Sequence, residues 1–209
     1  MFEMSDTMRE VNISTQYGKV YGQAAGAAGE SLVLGVHGWS KRNGWHTWAP
    51  LLQPLGQAGF HAVSVDMPGW GNSPAWSAAQ MDADTGVKAL WEIITRLNSE
   101  RASLMGKSWG GGIALEFALR HPNMVSSLIL SAPAYRDFDR LKRLKQTVLL
   151  VWSKDDPVIP YRYSSSFQEV IPESSLVTYE SGGHSAAPMN ASDFAPLAIE
   201  FLLGAIGKR

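Results

Sequence analysis

A serine sits between glycines in Gly106-Lys107-Ser108-Trp109-Gly110, directly after the apolar run Ala102-Ser103-Leu104-Met105. Gly-x-Ser-x-Gly between a strand and a helix has a steric logic. The serine is forced onto a sharp turn with a strained backbone, so residues without a Cβ are needed two before and two after it. Its hydroxyl then projects above the sheet at a helix N-terminus. Backbone N–H groups and the helix dipole there can meet a developing oxyanion. In a chain with 20 glycines the same pattern also fits a phosphate-binding turn or a Gly-rich helix start. The other strand ends must decide between these chemistries.

Apolar runs and breaks set out the elements that would position Ser108. Val11 to Gln23 alternates weakly and predicts an edge hairpin turning near Tyr17-Gly18-Lys19. Buried strands are predicted at 31–36, 61–65, 102–106, 125–130, 148–152 and 175–179. Helical spacing predicts helices over 45–57, broken or kinked by Pro50 and Pro54, and over 82–97. Further helices are predicted over 109–120, 135–145 and 161–169, and a closing one over 193–206 with Asp193 as its cap. Strands that are continuous apolar runs and alternate with helices predict a mainly parallel sheet covered on both faces. Sites in such a sheet form at the carboxyl ends of the strands. The polar residues there are His37–Ser40, Asp66–Ser73, Ser108, Ser153–Asp156 and Ser181–His184. They supply serine, aspartate and histidine in the chain order expected of a triad built on an α/β sheet.

Composition narrows the classes. The 209 residues are 45% hydrophobic, which suits one domain with a sizeable core. The net charge is −1, from 18 basic and 19 acidic residues without a run of either sign. That gives no expectation of nucleic acid as a partner. The absence of cysteine excludes a disulfide framework and a cysteine nucleophile. The first residues, Met1-Phe2-Glu3-Met4-Ser5-Asp6, lack the apolar core of a secretory signal, and no apolar run is long enough to span a bilayer. A soluble cytoplasmic protein without membrane partners is expected. The histidines and carboxylates do not cluster at metal-ligand spacing, so neither metal nor cofactor is expected.

Taken together, His37-Gly38-Trp39, Asp66-Met67-Pro68-Gly69-Trp70-Gly71-Asn72-Ser73, the Ser108 turn, Asp156-Pro157-Val158-Ile159-Pro160 and Gly183-His184 resemble the α/β-hydrolase superfamily. The resemblance covers nearly the whole chain. It implies a three-layer fold with a mainly parallel central sheet and helices on both faces. Many members insert a helical cap after the strand that follows the nucleophile helix. Here the interval from Leu130 to Thr147 has room for one short helix, so a capless form is expected. In size and layout the chain is similar to the small interacting-factor-B-like hydrolases.

The resemblance also implies roles. Ser108 would be the nucleophile, His184 its base and Asp156 the acid that orients the imidazole. The N–H groups of Trp39 and Trp109 would form the oxyanion hole. The family pattern places the acid directly before Pro-x-x-Pro, which selects Asp156 over the adjacent Asp155, read as a solvated neighbour. An acid after the preceding strand would have to be Asp137, a poor alternative. His37 would shape the oxyanion loop, while His61 and His121 read as structural. His46 and Trp70 are candidates for touching substrate, and Trp39, Trp70 and Trp109 for walling an acyl pocket. Trp48, Trp91 and Trp152 read as core, whereas Trp45 and Trp76 are uncommitted. Lys107 reads as a solvated side chain at the mouth of the site.

The expected activity is that of a carboxylesterase cleaving short or activated small-molecule acyl esters through an acyl-enzyme. A thioesterase, amidase or protein deacylase would use the same triad, and a ligand-binding protein that kept the fold is the rival from another class. Oligomeric state is not encoded in these features.

Overall fold

The computed structural model describes residues 7–74 and 81–206, so Trp76 and the first six residues lie outside the described residues. Its centre is an eight-stranded sheet. The strands are β1 (Arg9–Thr15), β2 (Gly18–Ala25), β3 (Ser31–Val36), β4 (Phe60–Val65), β5 (Ala102–Lys107), β6 (Val125–Ser131), β7 (Thr147–Ser153) and β8 (Ser174–Tyr179). They lie in the order β1-β2-β4-β3-β5-β6-β7-β8. The β1–β2 hairpin and the β2–β4 pair are antiparallel, and every other pair is parallel. The hairpin turns at Gln16-Tyr17, where Gly18 takes φ 101°.

Alternation along the buried strands feeds two cores. Leu32, Leu34, Val36, Leu104 and Leu128 pack towards α2 (Ala83–Arg96), α3 (Trp109–Arg120) and α5 (Tyr163–Val170). Val33, Met105, Ile129 and Val151 pack towards α1 (Ala49–Gln57), α6 (Ala186–Met189) and α7 (Ala191–Ile206). A sheet buried on both faces needs apolar residues at successive positions, which is why these strands read as continuous runs.

Several elements differ from expectation. The helix foreseen over 45–57 begins only at Ala49, after a 3₁₀ turn at Trp45–Thr47. Pro50 falls in its first turn, where a missing N–H costs nothing. The helix foreseen over 135–145 shrinks to α4 (Phe138–Leu141), capped by the Asp137 carboxylate. Tyr135 and Arg140 are instead drawn onto buried Glu116 of α3. Among the described residues α4 is the one helix between β6 and β7, so no cap is built there. Helix α7 starts before Asp193, which lies inside the first turn and accepts the Tyr179 hydroxyl at 2.9 Å. Trp48 and Trp152 are buried as expected, but Trp91 is 44% exposed. No described helix is long and apolar enough to cross a membrane.

Candidate active site

Strand β5 delivers Ser108 with φ 52° and ψ −118°, a left-handed backbone that costs a non-glycine residue free energy. The turn is fixed from both sides. Ser108 N–H donates to the Ser131 carbonyl at 2.9 Å, and the Ser108 carbonyl accepts from Ala134 and Gly112. The flanking glycines permit this closeness. A Cβ on Gly106 would lie 2.6 Å from the Gly111 Cα, and one on Gly110 would strike the His37 carbonyl. The loop after β3 lies against the same turn, since a Cβ on Gly38 would be 3.6 Å from the Ser108 Cβ.

Asp156 follows β7 and is almost fully enclosed, its side chain 1% exposed. One carboxylate oxygen accepts from the N–H groups of Val158 and Ile159 at 2.8 and 3.0 Å. The other is 2.8 Å from His184 Nδ1, in the 3₁₀ turn after β8. An ionised carboxylate only accepts, so Nδ1 carries the proton, and in the neutral ring Nε2 is then the atom with the lone pair. The Trp152 indole donates to the Ile159 carbonyl at 2.8 Å, which fastens the aspartate loop to the core. The structure thus joins Asp156 to His184 and sets Ser108 at the end of β5, separated from β7 by β6 alone. Ser108 Oγ makes no hydrogen bond to a described residue; such contacts are often long in unliganded sites and tighten with substrate.

Asp155 is not a merely solvated neighbour. Its carboxylate accepts from Gly183 N–H at 2.9 Å and Gly182 N–H at 3.4 Å, holding the loop that carries His184. Ser153 Oγ donates to the Gly183 carbonyl. Lys107 is buried rather than solvated, and its ammonium donates to Ser185 Oγ at 2.7 Å. Burial pushes the Lys107 pKa down, against the pull of Asp156. The residue before Ser108 is therefore tied to the residue after His184. Burial and long-range partners identify these groups, and neither has a local sequence signal.

The loop after β3 is built around His37. Its Nδ1 is 2.7 Å from the Gly38 carbonyl, and Nε2 accepts from Met67 N–H at 3.0 Å. The ring must be neutral to do both, and burial lowers its pKa to about 4. Trp70 was expected at the substrate, but it is 3% exposed and its indole donates to the Trp39 carbonyl at 2.9 Å. It stacks on Trp109 at 5.2 Å, so it supports the Trp39 loop from behind. Trp39 is 39% exposed and packs edge-on against both rings. Neither Trp39 N–H nor Trp109 N–H is bonded to a described residue. His46, the other expected substrate contact, is exposed with its ring on the Arg42 carbonyl, and it lies outside the cleft at Ser108. A single buried acid, Asp66, shapes the loop after β4 by accepting from Trp45 and Asn72 N–H groups at 2.7 and 2.8 Å. A Cβ on Gly44 or Gly71 would collide with that carboxylate.

A cleft of about 980 Å³ opens beside Ser108. Its walls are the segment after β6, including Pro133, Tyr135 and Phe138, and the stretch from Val158 to Tyr163. Among the described residues no three His, Asp or Glu side chains converge as a metal site would require.

Comparison with known proteins agrees with this architecture. The family model described as alpha/beta hydrolase fold matches residues 31–141, and one described as TAP-like protein matches residues 131–203. A 2-hydroxy-6-oxononadienedioate/2-hydroxy-6-oxononatrienedioate hydrolase of Paraburkholderia phymatum is 34% identical over 113 residues, 54% of this chain and 39% of that protein. The chain thus matches well under half the length of this curated relative. The structure of a predicted CIB-like hydrolase from Thermoplasma acidophilum superposes with a TM-score of 0.86 at 22% identity, covering 94% of this chain and 98% of that one. Naproxen esterase from Bacillus subtilis superposes with a TM-score of 0.80 at 15% identity, covering 94% and 92%. On the family match and on its sheet order, the chain belongs to the alpha/beta hydrolase fold family.

Proposed function

We propose that the protein is a serine hydrolase that cleaves small-molecule acyl esters through an acyl-enzyme. The observation that carries this reading is the Asp156–His184 hydrogen bond of 2.8 Å on the same edge of the sheet as the strained Ser108 turn, the two loops being tied by Lys107 and Ser185. Ser108 Oγ attacks the ester carbonyl carbon while His184 Nε2 takes its proton. Asp156 holds the Nδ1–H tautomer and stabilises the imidazolium. The tetrahedral oxyanion is met by the Trp39 and Trp109 N–H groups, neither of which is bonded to a described residue. The intermediate then collapses, the carbon–oxygen bond to the alcohol breaks, and His184 returns the proton to the leaving alkoxide. Water, deprotonated by the same imidazole, releases the acid and restores Ser108. The absence of a cap between β6 and β7 suits substrates that approach from open solvent.

The test is covalent labelling with a fluorophosphonate, read by intact mass and peptide mapping, beside turnover of p-nitrophenyl acetate. One adduct on Ser108 is expected, with kcat reduced by roughly 10⁴-fold or more in Ser108→Ala. An unlabelled Ser108 in folded protein, without ester turnover, overturns the reading. The 34% identity to a 2-hydroxy-6-oxononadienedioate hydrolase favours a second reading, hydrolysis of a carbon–carbon bond in such a substrate. Loss of the dienoate chromophore on incubation with that compound would distinguish it.

A further inference from the structure

The cleft beside Ser108 combines apolar surface with cations. Phe138, Val158, Ile159 and Tyr163 line it, and Val158 and Tyr163 present much of their side chains to solvent. Three arginines share the walls. Arg140 is committed: both of its terminal nitrogens lie on the Glu116 carboxylate at 2.7 and 2.9 Å. Arg136 and Arg162 are different. Neither makes an ion pair among the described residues, and the Arg162 guanidinium rests only on the Tyr163 ring, 5.2 Å from its centroid. Of the two acids on the walls, only Glu116 is enclosed by cations, and Asp137 is exposed at the start of α4. Glu116 is enclosed by Arg120, Arg140 and Tyr135, and Asp137 accepts from the Arg140 N–H at the start of α4.

Unpaired guanidinium groups beside exposed apolar side chains match an amphiphilic anion. A guanidinium presents parallel N–H donors that fit a carboxylate in a fork. We propose that this cleft selects acyl groups that end in a carboxylate, the chain lying along Phe138, Val158 and Ile159 and the charged end meeting Arg136 and Arg162. The proposal rests on the serine hydrolase reading and deepens it by naming the acyl group. The reaction itself is unchanged: the serine ester forms on the near carboxyl carbon, the alcohol leaves, and water releases the dicarboxylic acid.

The test compares mono-p-nitrophenyl esters of adipate, pimelate and suberate with the same compounds methylated at the far carboxyl. At low salt the charged ester is expected to have a kcat/KM about tenfold higher, the scale of two exposed ion pairs. The preference should shrink as sodium chloride is added. In Arg136→Gln/Arg162→Gln the ratio of the two kcat/KM values should approach one, while the Arg→Lys pair retains part of it. No preference in the wild type, or a preference that survives the double glutamine variant, overturns the proposal. Binding needs no turnover. Chemical-shift titration of Ser108→Ala protein should show monomethyl suberate binding more tightly than dimethyl suberate, and equal binding overturns the proposal. Fluorophosphonate labelling of Ser108 with no charge preference would leave the hydrolase reading standing and remove only this one.

Discussion

His37 has both ring nitrogens committed inside the protein, one to the Gly38 carbonyl and one to the Met67 N–H. A second proton would turn Nε2 into a donor facing another donor, with the charge buried. That is why burial holds its pKa at about 4. The unfolded chain takes up this proton near pH 6.5, whereas the folded protein resists until about pH 4. Stability from His37 is therefore complete above pH 6.5 and lost as the pH falls towards 4. The loss approaches about 3 kcal/mol at the lower end. Urea unfolding across this range should show it, and His37→Gln should flatten the slope even if it lowers stability throughout. Because the same ring joins the loops after β3 and β4, acid should also disorder the Trp39 N–H before the sheet melts.

At the scale of elements, the loop after β8 is the part that must be held. Its own strand lies at the edge of the sheet and among the described residues pairs with β7 alone. Three contacts from other elements stop it from drifting: Asp155 on the Gly182 and Gly183 N–H groups, Ser153 on the Gly183 carbonyl, and Lys107 on Ser185. Each acts on the backbone or neighbour of His184 and not on its ring. Displacement of a catalytic group by about 1 Å can cost roughly 100-fold in rate. Lys107→Met is accordingly expected to lower kcat by about 10- to 100-fold with a smaller change in KM. Ser185→Ala should do so more mildly. Steady-state kinetics on an activated ester checks both, and equal kcat in wild type and Lys107→Met would exclude a positioning role for the lysine.

Across the whole molecule, the sheet divides two cores, and a single buried acid stabilises one side of it. Glu116 on α3 binds Arg120 at 2.6 Å, Arg140 at 2.7 Å and the Tyr135 hydroxyl at 3.0 Å. Burial raises its pKa, but these hydrogen bonds outweigh it and hold the carboxyl below its ordinary 4.5. The Tyr135 phenol is pushed up to about 12 by burial and by Glu116. This hub fixes the segment after β6 over α3, so it shapes one wall of the Ser108 cleft. Glu116→Gln loses charged hydrogen bonds and should destabilise the protein by roughly 2 kcal/mol. The Glu116 contribution is present above pH 4.5 and lost as the pH falls through its lowered folded value. Thermal denaturation of the variant at neutral pH measures the first effect, and an acid titration of both proteins measures the second.

Local rules made much of this protein legible. The Gly-x-Ser-x-Gly turn follows from the sterics of one sharp bend, and the strands follow from uninterrupted apolar runs. The resemblance to the family, whose pattern places the acid directly before Pro157-x-x-Pro160, selects Asp156 over Asp155, yet the contact of Asp155 with Gly183 links residues distant in sequence. Helix 82–97 was readable from its period, but Trp91 falls on the rim of its buried face, set by Gly86, Leu90, Ile93 and Ile94. Trp70 shows the reverse, a loop tryptophan that packing takes inside. Lys107 and Glu116 look like ordinary surface charges until their partners arrive from residues 185 and 140. The sequence by itself determined the order of elements and the chemistry-bearing residue types, because backbone sterics and apolar periodicity act over a few residues. Only the tertiary structure decided which charges are buried and paired, because burial depends on what other strands and helices bring to the same place.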